Sequence, residues 1–393
     1  MLSNLKIKIL LKNAKKFFDE GDFDEALINF DKILLLDNTN EEALYKKAFI
    51  LYKKNRICEA INLLHRIIDH NPDEESFLLL GRLYFLIGDY EKGIVYYTLA
   101  LNEDVFNLSE YIDEILFFGG DWELKYISKD FKRFSKYSLV LCDLIIDRYD
   151  DIGTKIWKAY KLYSLNCFEE SLELINEVIN LGQEDYSIYY LKSANLIELT
   201  LFKEALDASE KGLSLNSEDV LLNQNKAIAL YHLGIFDESF EFFKKSIDLD
   251  ETTNSYFFLS RIELINKNFK KSLDYINKAI ELQLNNFHDL KDSSIEFYNV
   301  FINYDQFLLK SLILYNLNEF DEANMLCDCL IEKEPENAKN YCLKAMILFE
   351  EGKYEESLGF IQKTLDLNPD CEDAIELKEK LGTKMNNTWF EYY

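Results

Sequence analysis

One short string returns along this chain at a nearly fixed interval. An aromatic residue, two charged residues and a small residue occur at Phe23 to Ala26, Tyr90 to Gly93, Phe168 to Ser171, Phe202 to Ala205, Phe236 to Ser239, Phe269 to Ser272, Phe320 to Ala323 and Tyr354 to Ser357. Where no insertion intervenes, neighbouring copies are 34 or 33 residues apart. Self-similarity at such a period marks a stack of small units, none of which buries its apolar face alone. A globular chain of 393 residues would be expected to hold two or three domains. A stack escapes that expectation, because each unit touches only its neighbours and the core grows in one dimension. With 3 prolines and 13 glycines, the chain has room for long helices and few linkers.

Within a unit the apolar spacing is helical twice. In the stretch ending at Asp219, Tyr186 to Leu199 has apolar residues at helical spacing, Thr200 and Leu201 make a tight turn, and Phe202 to Leu215 is a second amphipathic run with Ala205 facing inward. So short a connection forces the two helices antiparallel, and neither is long enough to persist alone in water. A small residue recurs where the helices should cross. On the first helix it is Ala14, Ala48, Gly81, Ala159, Ser193, Ala227, Ser260, Ser311 or Ala345; on the second, Ala26, Ala60, Gly93, Ser171, Ala205, Ser239, Ser272, Ala323 or Ser357. A large side chain at either place would force the helices apart.

These small residues, the aromatic opening the second helix and a proline near the end of some units (Pro72, Pro335, Pro369) resemble the tetratricopeptide repeat. The resemblance covers nine units: 7–40, 41–73, 74–107, 152–185, 186–219, 220–252, 253–286, 304–337 and 338–371. It implies an all-α, right-handed superhelical solenoid of antiparallel helix pairs. The family's Trp at the fourth place is absent, with Leu44, Phe77, Tyr189, Tyr256, Phe307 and Tyr341 standing there, and most units lack the proline. The chain then reads as an N-terminal array at 1–107, an irregular helical insertion or degenerate repeat at 108–151, a central array at 152–286, a helical insertion at 287–303, a repeat pair at 304–371, a capping helix at 372–384 and an aromatic tail at 385–393.

The insertions carry their own signals. In 108–151, Ser109 and Asp121 can cap short helices and Ser138 can begin a third, which either stands unpaired or fuses with the helix starting near Ile152. Lys125, Lys129, Lys132, Arg133 and Lys136 make a basic patch that would dock an acidic partner, fold against the acidic body or simply be solvated. From Ser293, an amphipathic run through Phe297, Val300 and Phe301 predicts one long helix continuing into the next unit. The tail holds Trp389, Phe390, Tyr392 and Tyr393, a sticky end or a disordered one.

A charge rule accompanies the period. Lys47, Lys158, Lys192, Lys226, Lys310 and Lys344 precede the small residue of the first helix, and the same units carry Glu59, Glu170, Glu204, Glu238, Glu322 and Glu356 before that of the second. Units with Leu80 and Leu259 in the first place carry Lys92 and Lys271 in the second. The rule predicts ion pairs between the two helices of one unit.

In tetratricopeptide arrays the first helices line a concave groove for peptides. By that resemblance the groove presents Tyr45, Phe49 and Tyr52, then Leu78, Arg82 and Phe85, then Ile156, Tyr160 and Tyr163. Tyr190 and Ile197 follow, then Gln224, Tyr231 and His232, then Phe257 and Arg261, and last Leu308, Leu312, Tyr315, Met346 and Phe349. Tyr and Arg are common hot-spot residues. Packing between helices is the competing role for Tyr52, Phe85, Tyr163, Tyr231, Tyr315 and Phe349. The Lys/Asn clamp that some family members use on a terminal carboxylate is not reproduced, so an apolar or amphipathic segment is the expected ligand.

Chemistry is sparse. His65, His70, His232 and His288 have no metal-ligand spacing, and Cys327 and Cys329 lie two apart on a helix, pointing in different directions. No phosphate loop, nucleophile elbow or catalytic signature occurs, so neither an enzyme nor a cofactor is expected. The 7 cysteines are irregularly placed and form no disulfide framework, which suits a reducing cytoplasm. The first residues lack the pattern of a signal peptide, and the most apolar window, 77–88, is too short to span a bilayer. A net charge of −27 disfavours nucleic acid and anionic membranes and favours basic or neutral apolar partners. The expectation is a cytoplasmic protein-binding scaffold whose groove takes a peptide or helix of unknown identity. The alternative is an assembly subunit that self-associates through the inserted helices or the tail, with the oligomeric state open.

Overall fold

The computed structural model describes residues 2–102, 131–288 and 304–390, and among these every regular element is a helix. The chain divides into two compact units, Met1–Gln183 and Glu184–Tyr393. In the first, α1 (Leu2–Asp19) packs on α2 (Phe23–Leu36), α3 (Glu41–Lys53) on α4 (Ile57–Ile68) and α5 (Glu74–Leu86) on α6 (Tyr90–Asn102). Next, α7 (Phe131–Tyr149) lies against α6 and against α8 (Ile152–Ser164), which pairs with α9 (Phe168–Asn180). In the second unit the pairs are α10 (Tyr186–Glu198) with α11 (Phe202–Leu215), α12 (Val220–His232) with α13 (Phe236–Leu249) and α14 (Thr253–Ile265) with α15 (Phe269–His288). They continue with α16 (Tyr304–Asn316) and α17 (Phe320–Lys333), then α18 (Ala338–Glu350) and α19 (Tyr354–Leu367), and close with α20 (Glu372–Phe390). The all-α repeat fold expected from the sequence is therefore observed.

The two helices of a pair start differently. Seven first helices open on a side-chain cap: Asn40, Asp73, Asp151, Asp185, Asp219, Thr252 and Asn337 each accept from a backbone N–H of the first turn. Most second helices have no such cap. They leave a turn in which one residue is left-handed. Gly21, Asn55, Gly88, Asn166, Thr200, Gly234, Lys267, Asn318 and Gly352 all have φ between 58° and 80°. The turn closes with a backbone bond onto the first helix, as in Ile235 N–H to Leu230 O at 2.9 Å. Gly accepts this conformation freely and Asn tolerates it, whereas a β-branched Thr200 is strained by about 1–2 kcal/mol. Thr200→Gly is therefore expected to raise stability by about 1 kcal/mol, after the greater freedom of Gly in the unfolded chain is set against the relieved strain. An unchanged urea midpoint would show that this turn holds no strain.

The small residues do more than leave room. Ser171 donates to Ala159 O, Ser239 to Ala227 O, Ser311 to Ala323 O and Ser357 to Ala345 O, at 2.8 to 3.0 Å across each pair. Ser260 and Ser272 donate to each other's carbonyls at 2.8 and 2.7 Å. Each buried hydroxyl thus finds an acceptor at the closest approach of the backbones. Between α5 and α6 the device differs: Gly81 and Gly93 admit the rings of Tyr97 and Phe85, and a Cβ on Gly93 would stand 2.3 Å from Phe85 Cδ2.

The predicted ion pairs within units are corrected. Lys47 binds Asp31, Lys158 binds Asp143, Lys226 binds Glu210 at 2.8 Å and Lys344 binds Asp328 at 2.9 Å. Every one of these carboxylates lies on the helix before, 15 or 16 residues back, and not on the lysine's own partner helix. The first helix leans on both its own partner and the preceding helix, and the extended lysine reaches backward. Where neither position −15 nor position −16 offers an unclaimed carboxylate the outcome changes. Sixteen before Lys310 is Ser294, and Lys310 keeps the predicted pairing with Glu322 at 3.0 Å. Sixteen before Lys192 is Asn176 and fifteen before it is Glu177, which Lys155 takes at 2.6 Å; burial, followed by repulsion from Lys211, lowers the Lys192 pKa.

Three more sequence expectations meet the structure at the insertions. The helix proposed to begin at Ser138 already runs from Phe131, with Ser138 buried inside it. The helix is continuous through this point, so no boundary falls at Ser138. It does not fuse with α8, because Asp150 turns left-handed at φ 48° and Asp151 caps the next helix through Thr154 N–H at 2.6 Å. Leu141, Cys142 and Ile145 of α7 fill a core with Phe77, Phe85 and Tyr97. At the other end, α20 continues past 384 to Phe390, while Ala374, Leu377 and Leu381 bury its inner side.

The helices expected at 108–130, Lys125 and Lys129, the long helix from Ser293, and Tyr392 and Tyr393 lie outside the described residues. So do 289–303, on which the self-association reading partly rests. Lys132 and Arg133 have their backbone in α7, and Lys136 is exposed on the same helix.

Candidate functional site

First helices touch one another: α3 and α5 in the first unit, and α10 with α12, α14 with α16, and α16 with α18 in the second. The face that the first helices share is called the inner face, and the predicted groove residues on these helices divide by role.

Most of the aromatic residues near the ends of first helices serve the pair itself. Tyr163 meets Phe168 at 5.7 Å, Tyr231 meets Phe236 at 5.5 Å, Tyr315 meets Phe320 at 6.1 Å and Phe349 meets Tyr354 at 5.5 Å between centroids. Phe85 meets Tyr90 at 5.3 Å. These rings clasp the turn where the left-handed residue reverses the chain. Phe85 and Tyr52 are 2% and 3% exposed, so they offer a ligand almost nothing. Tyr45, Phe49, Tyr160, Tyr163, Tyr190, Tyr315 and Phe349 are half-buried. Burial raises the Tyr190 pKa, with Asp219 adding to it.

In the second unit four predicted residues, Tyr231, His232, Phe257 and Arg261, come together. The Arg261 guanidinium of α14 lies over the Tyr231 ring of α12 at 5.0 Å, and over Phe257 and Phe258 at 5.7 Å each. His232 stacks on Phe202 of α11 at 4.3 Å with 6° between planes, and meets Tyr231 edge-on at 5.3 Å. Contact with Phe202 desolvates the imidazole, and this, with the Arg261 charge, lowers the His232 pKa, favouring the neutral ring. Phe258 in turn lies parallel to the buried Phe243 at 5.1 Å, which anchors the cluster in the core. Asn225 donates to Ser193 Oγ at 2.9 Å and Thr252 to Gln224 Oε1 at 3.0 Å, so polar bonds also fix α10, α12 and α14 behind the face.

Arg261 makes no hydrogen bond or ion pair with another described residue. Its position is set by three rings while its donors remain for a ligand. Sequence reasoning missed Phe202, Phe258 and Phe243. Phe202 is on a second helix, and its contact with His232 depends on how neighbouring pairs stack. Phe257-Phe258 followed by Arg261 at helical spacing was a visible signal for the cradle.

Cys327 is buried and its thiol is pushed up to about 11 by desolvation, whereas Cys329 is exposed. Among the described residues no group of three or more His, Cys, Asp or Glu is placed to hold a metal ion. Among the same residues no helix is long and apolar enough to cross a membrane.

Models of the tetratricopeptide repeat match residues 17–83, 74–104, 253–286 and 338–371. A TPR repeat-containing protein of Methanocaldococcus jannaschii, MJ1428, is 23% identical over 394 residues, covering 97% of this chain and 60% of the relative. A tetratricopeptide repeat and J domain-containing co-chaperone, DNJ1, of Fusarium oxysporum f. sp. lycopersici is 25% identical over 131 residues, covering 31% of this chain and 25% of the relative. The chain thus spans less than two thirds of either relative's length. Among solved structures, YrrB, described as a TPR protein with an unusual peptide-binding site, aligns with a TM-score of 0.41 at 19% identity, covering 52% of this chain and 97% of that one.

Proposed function

The chain is a tetratricopeptide repeat protein, and from that premise we propose that the inner face of its second unit, around Arg261, holds an amphipathic peptide or helix of a partner protein. Tetratricopeptide repeats indicate a scaffold for protein–protein interaction. The finer reading rests above all on one observation: an arginine cradled by Tyr231, Phe257 and Phe258, with no acceptor among the described residues. Apolar side chains of the ligand would cover the half-buried rings, and the guanidinium would donate to a backbone carbonyl or carboxylate.

The test is selection of displayed amphipathic peptides on the full chain, followed by titration of an enriched peptide into variants. Arg261→Gln is expected to weaken binding about tenfold or more, as expected where truncation of a hot-spot side chain costs over about 1.4 kcal/mol. Equal affinity for the wild type, Arg261→Gln and Phe257→Ala would remove the site from this face.

A further inference from the structure

The inner face of the first unit has a different chemistry. Phe18 of α1 and Phe49 of α3 are 5.8 Å apart, and Phe49 and Tyr52 are 5.9 Å apart. Cations lie on these rings: Lys46 Nζ is 4.6 Å from the Phe18 centroid, and Lys53 Nζ is 5.3 Å from Phe49 and 5.1 Å from Tyr52. Arg82 of α5 covers Tyr52 from the next pair at 5.6 Å. The abundant carboxylates of this chain do not neutralise the two lysines: neither Lys46 nor Lys53 forms an ion pair with a described residue, and Glu42, one turn before Lys46, is taken by Lys15 at 2.5 Å.

The neighbouring charges point the same way. Lys8, Lys12 and Lys15 share one face of α1 with Phe18 by their four- and three-residue spacings, and all three lysines are exposed. In a protein with a net charge of −27, cations gathered on a half-buried aromatic strip, with two unpaired, make a local inversion of sign. Lysines on Phe and Tyr faces are attracted by the ring quadrupole and keep their charge for a third group.

We propose that this face binds an acidic segment of a partner protein that carries an aromatic or aliphatic anchor. Carboxylate side chains would meet Lys46 and Lys53, and the anchor would lie on Phe49 and Phe18. The proposal rests on the reading that inner faces of first helices bind peptides, but it assigns a second site, on the first unit, for an acidic segment. The acidic body of the protein would repel such a segment elsewhere, which restricts it to this face.

The probe is a short labelled Glu-Glu-Phe repeat peptide, acetylated and amidated so that no terminal carboxylate contributes, titrated into the full chain by fluorescence anisotropy. The acidic peptide is expected to bind and to weaken as salt rises. The Lys46→Glu/Lys53→Glu double variant is expected to lose at least about tenfold in affinity, which corresponds to 1.4 kcal/mol. Its thermal melt should match the wild type, since Lys53 is exposed and Lys46 half-buried. Arg261→Gln should leave this affinity unchanged, so that failure of this site and failure of the Arg261 site are separately visible. No binding, equal binding of a Lys-Lys-Phe counterpart, or an unaffected double variant would overturn the proposal. Equal binding of a Glu-Glu-Ala peptide or of single-stranded DNA would also overturn it, by showing an anion surface without the aromatic anchor.

Discussion

Phe243→Ala is expected to lower stability by about 3–5 kcal/mol and to disable the Arg261 face in the same step. Phe243 is 0% exposed and packs among Ala227, Ile228, Leu259 and Ile262. Its ring lies parallel to Phe258 at 5.1 Å, and Phe258 is one wall of the arginine cradle. Removing it opens a cavity that α12 and α14 cannot close without moving Tyr231 and Arg261. For a unit of this size, that loss corresponds to a fall in melting temperature of roughly 6–20 °C. Phe243→Leu, which keeps most of the volume, should lose under about 1.5 kcal/mol and retain peptide binding. Similar melting temperatures for the alanine variant and the wild type would show that the ring is not part of the packed core.

Gly93→Ala is expected to destabilise by about 1–3 kcal/mol, although alanine is the better helix former. The added methyl would stand 2.3 Å from Phe85 Cδ2 and 3.1 Å from Gly81 O. Phe85 is 2% exposed and held edge-on by Tyr90 and Tyr97, so it has nowhere to turn. Gly359 supplies the control. It lies in α19 with nothing within 4 Å of a new Cβ, and Gly359→Ala should stabilise by about 0.5–1 kcal/mol. Urea midpoints of the two variants that shift in the same direction would contradict the assignment of Gly93 to a ring-filled crossing.

How much of this was legible depended on whether a signal repeats. The small residues are seen nine times at a separation of twelve, and steric exclusion at a helix crossing allows few other residue types, so the pairing of helices could be read directly. The left-handed turn was harder. Gly21, Gly88, Gly234 and Gly352 announce it, but Thr200 and Lys267 occupy the same conformation without a compositional sign. The neighbouring backbone, not the residue, imposes it there.

The lysines were legible as a pattern and misassigned in their partners. Glu59 and its equivalents vary together with them along the sequence, yet covariation within a repeat does not distinguish a contact from a shared environment. The distance from Lys226 to Glu210 is set by the lean of one pair on the next, which no single repeat encodes. The Arg261 cradle was half visible for the same reason. Tyr231, His232 and Arg261 followed from their places on first helices, while Phe202 and Phe243 come from the packing of adjacent pairs. At the first unit's inner face, Tyr45, Phe49, Tyr52 and Arg82 were anticipated, but Lys46 and Lys53 were not singled out.

The backward reach of four lysines gives these joints a grammar. Four repeats, those of Lys47, Lys158, Lys226 and Lys344, carry a cation at the leading edge that meets an acid near the end of the helix before, so at these four junctions the charges are complementary. Duplicating a one-period segment that contains both Glu210 and Lys226 copies the matched joint with it. Asp143 of α7, which belongs to no recognisable repeat, still meets Lys158 as a trailing edge would. An array written in this way can lengthen or shorten over generations without inventing an interface, and a foreign segment is admitted once it ends on an acid in the right place.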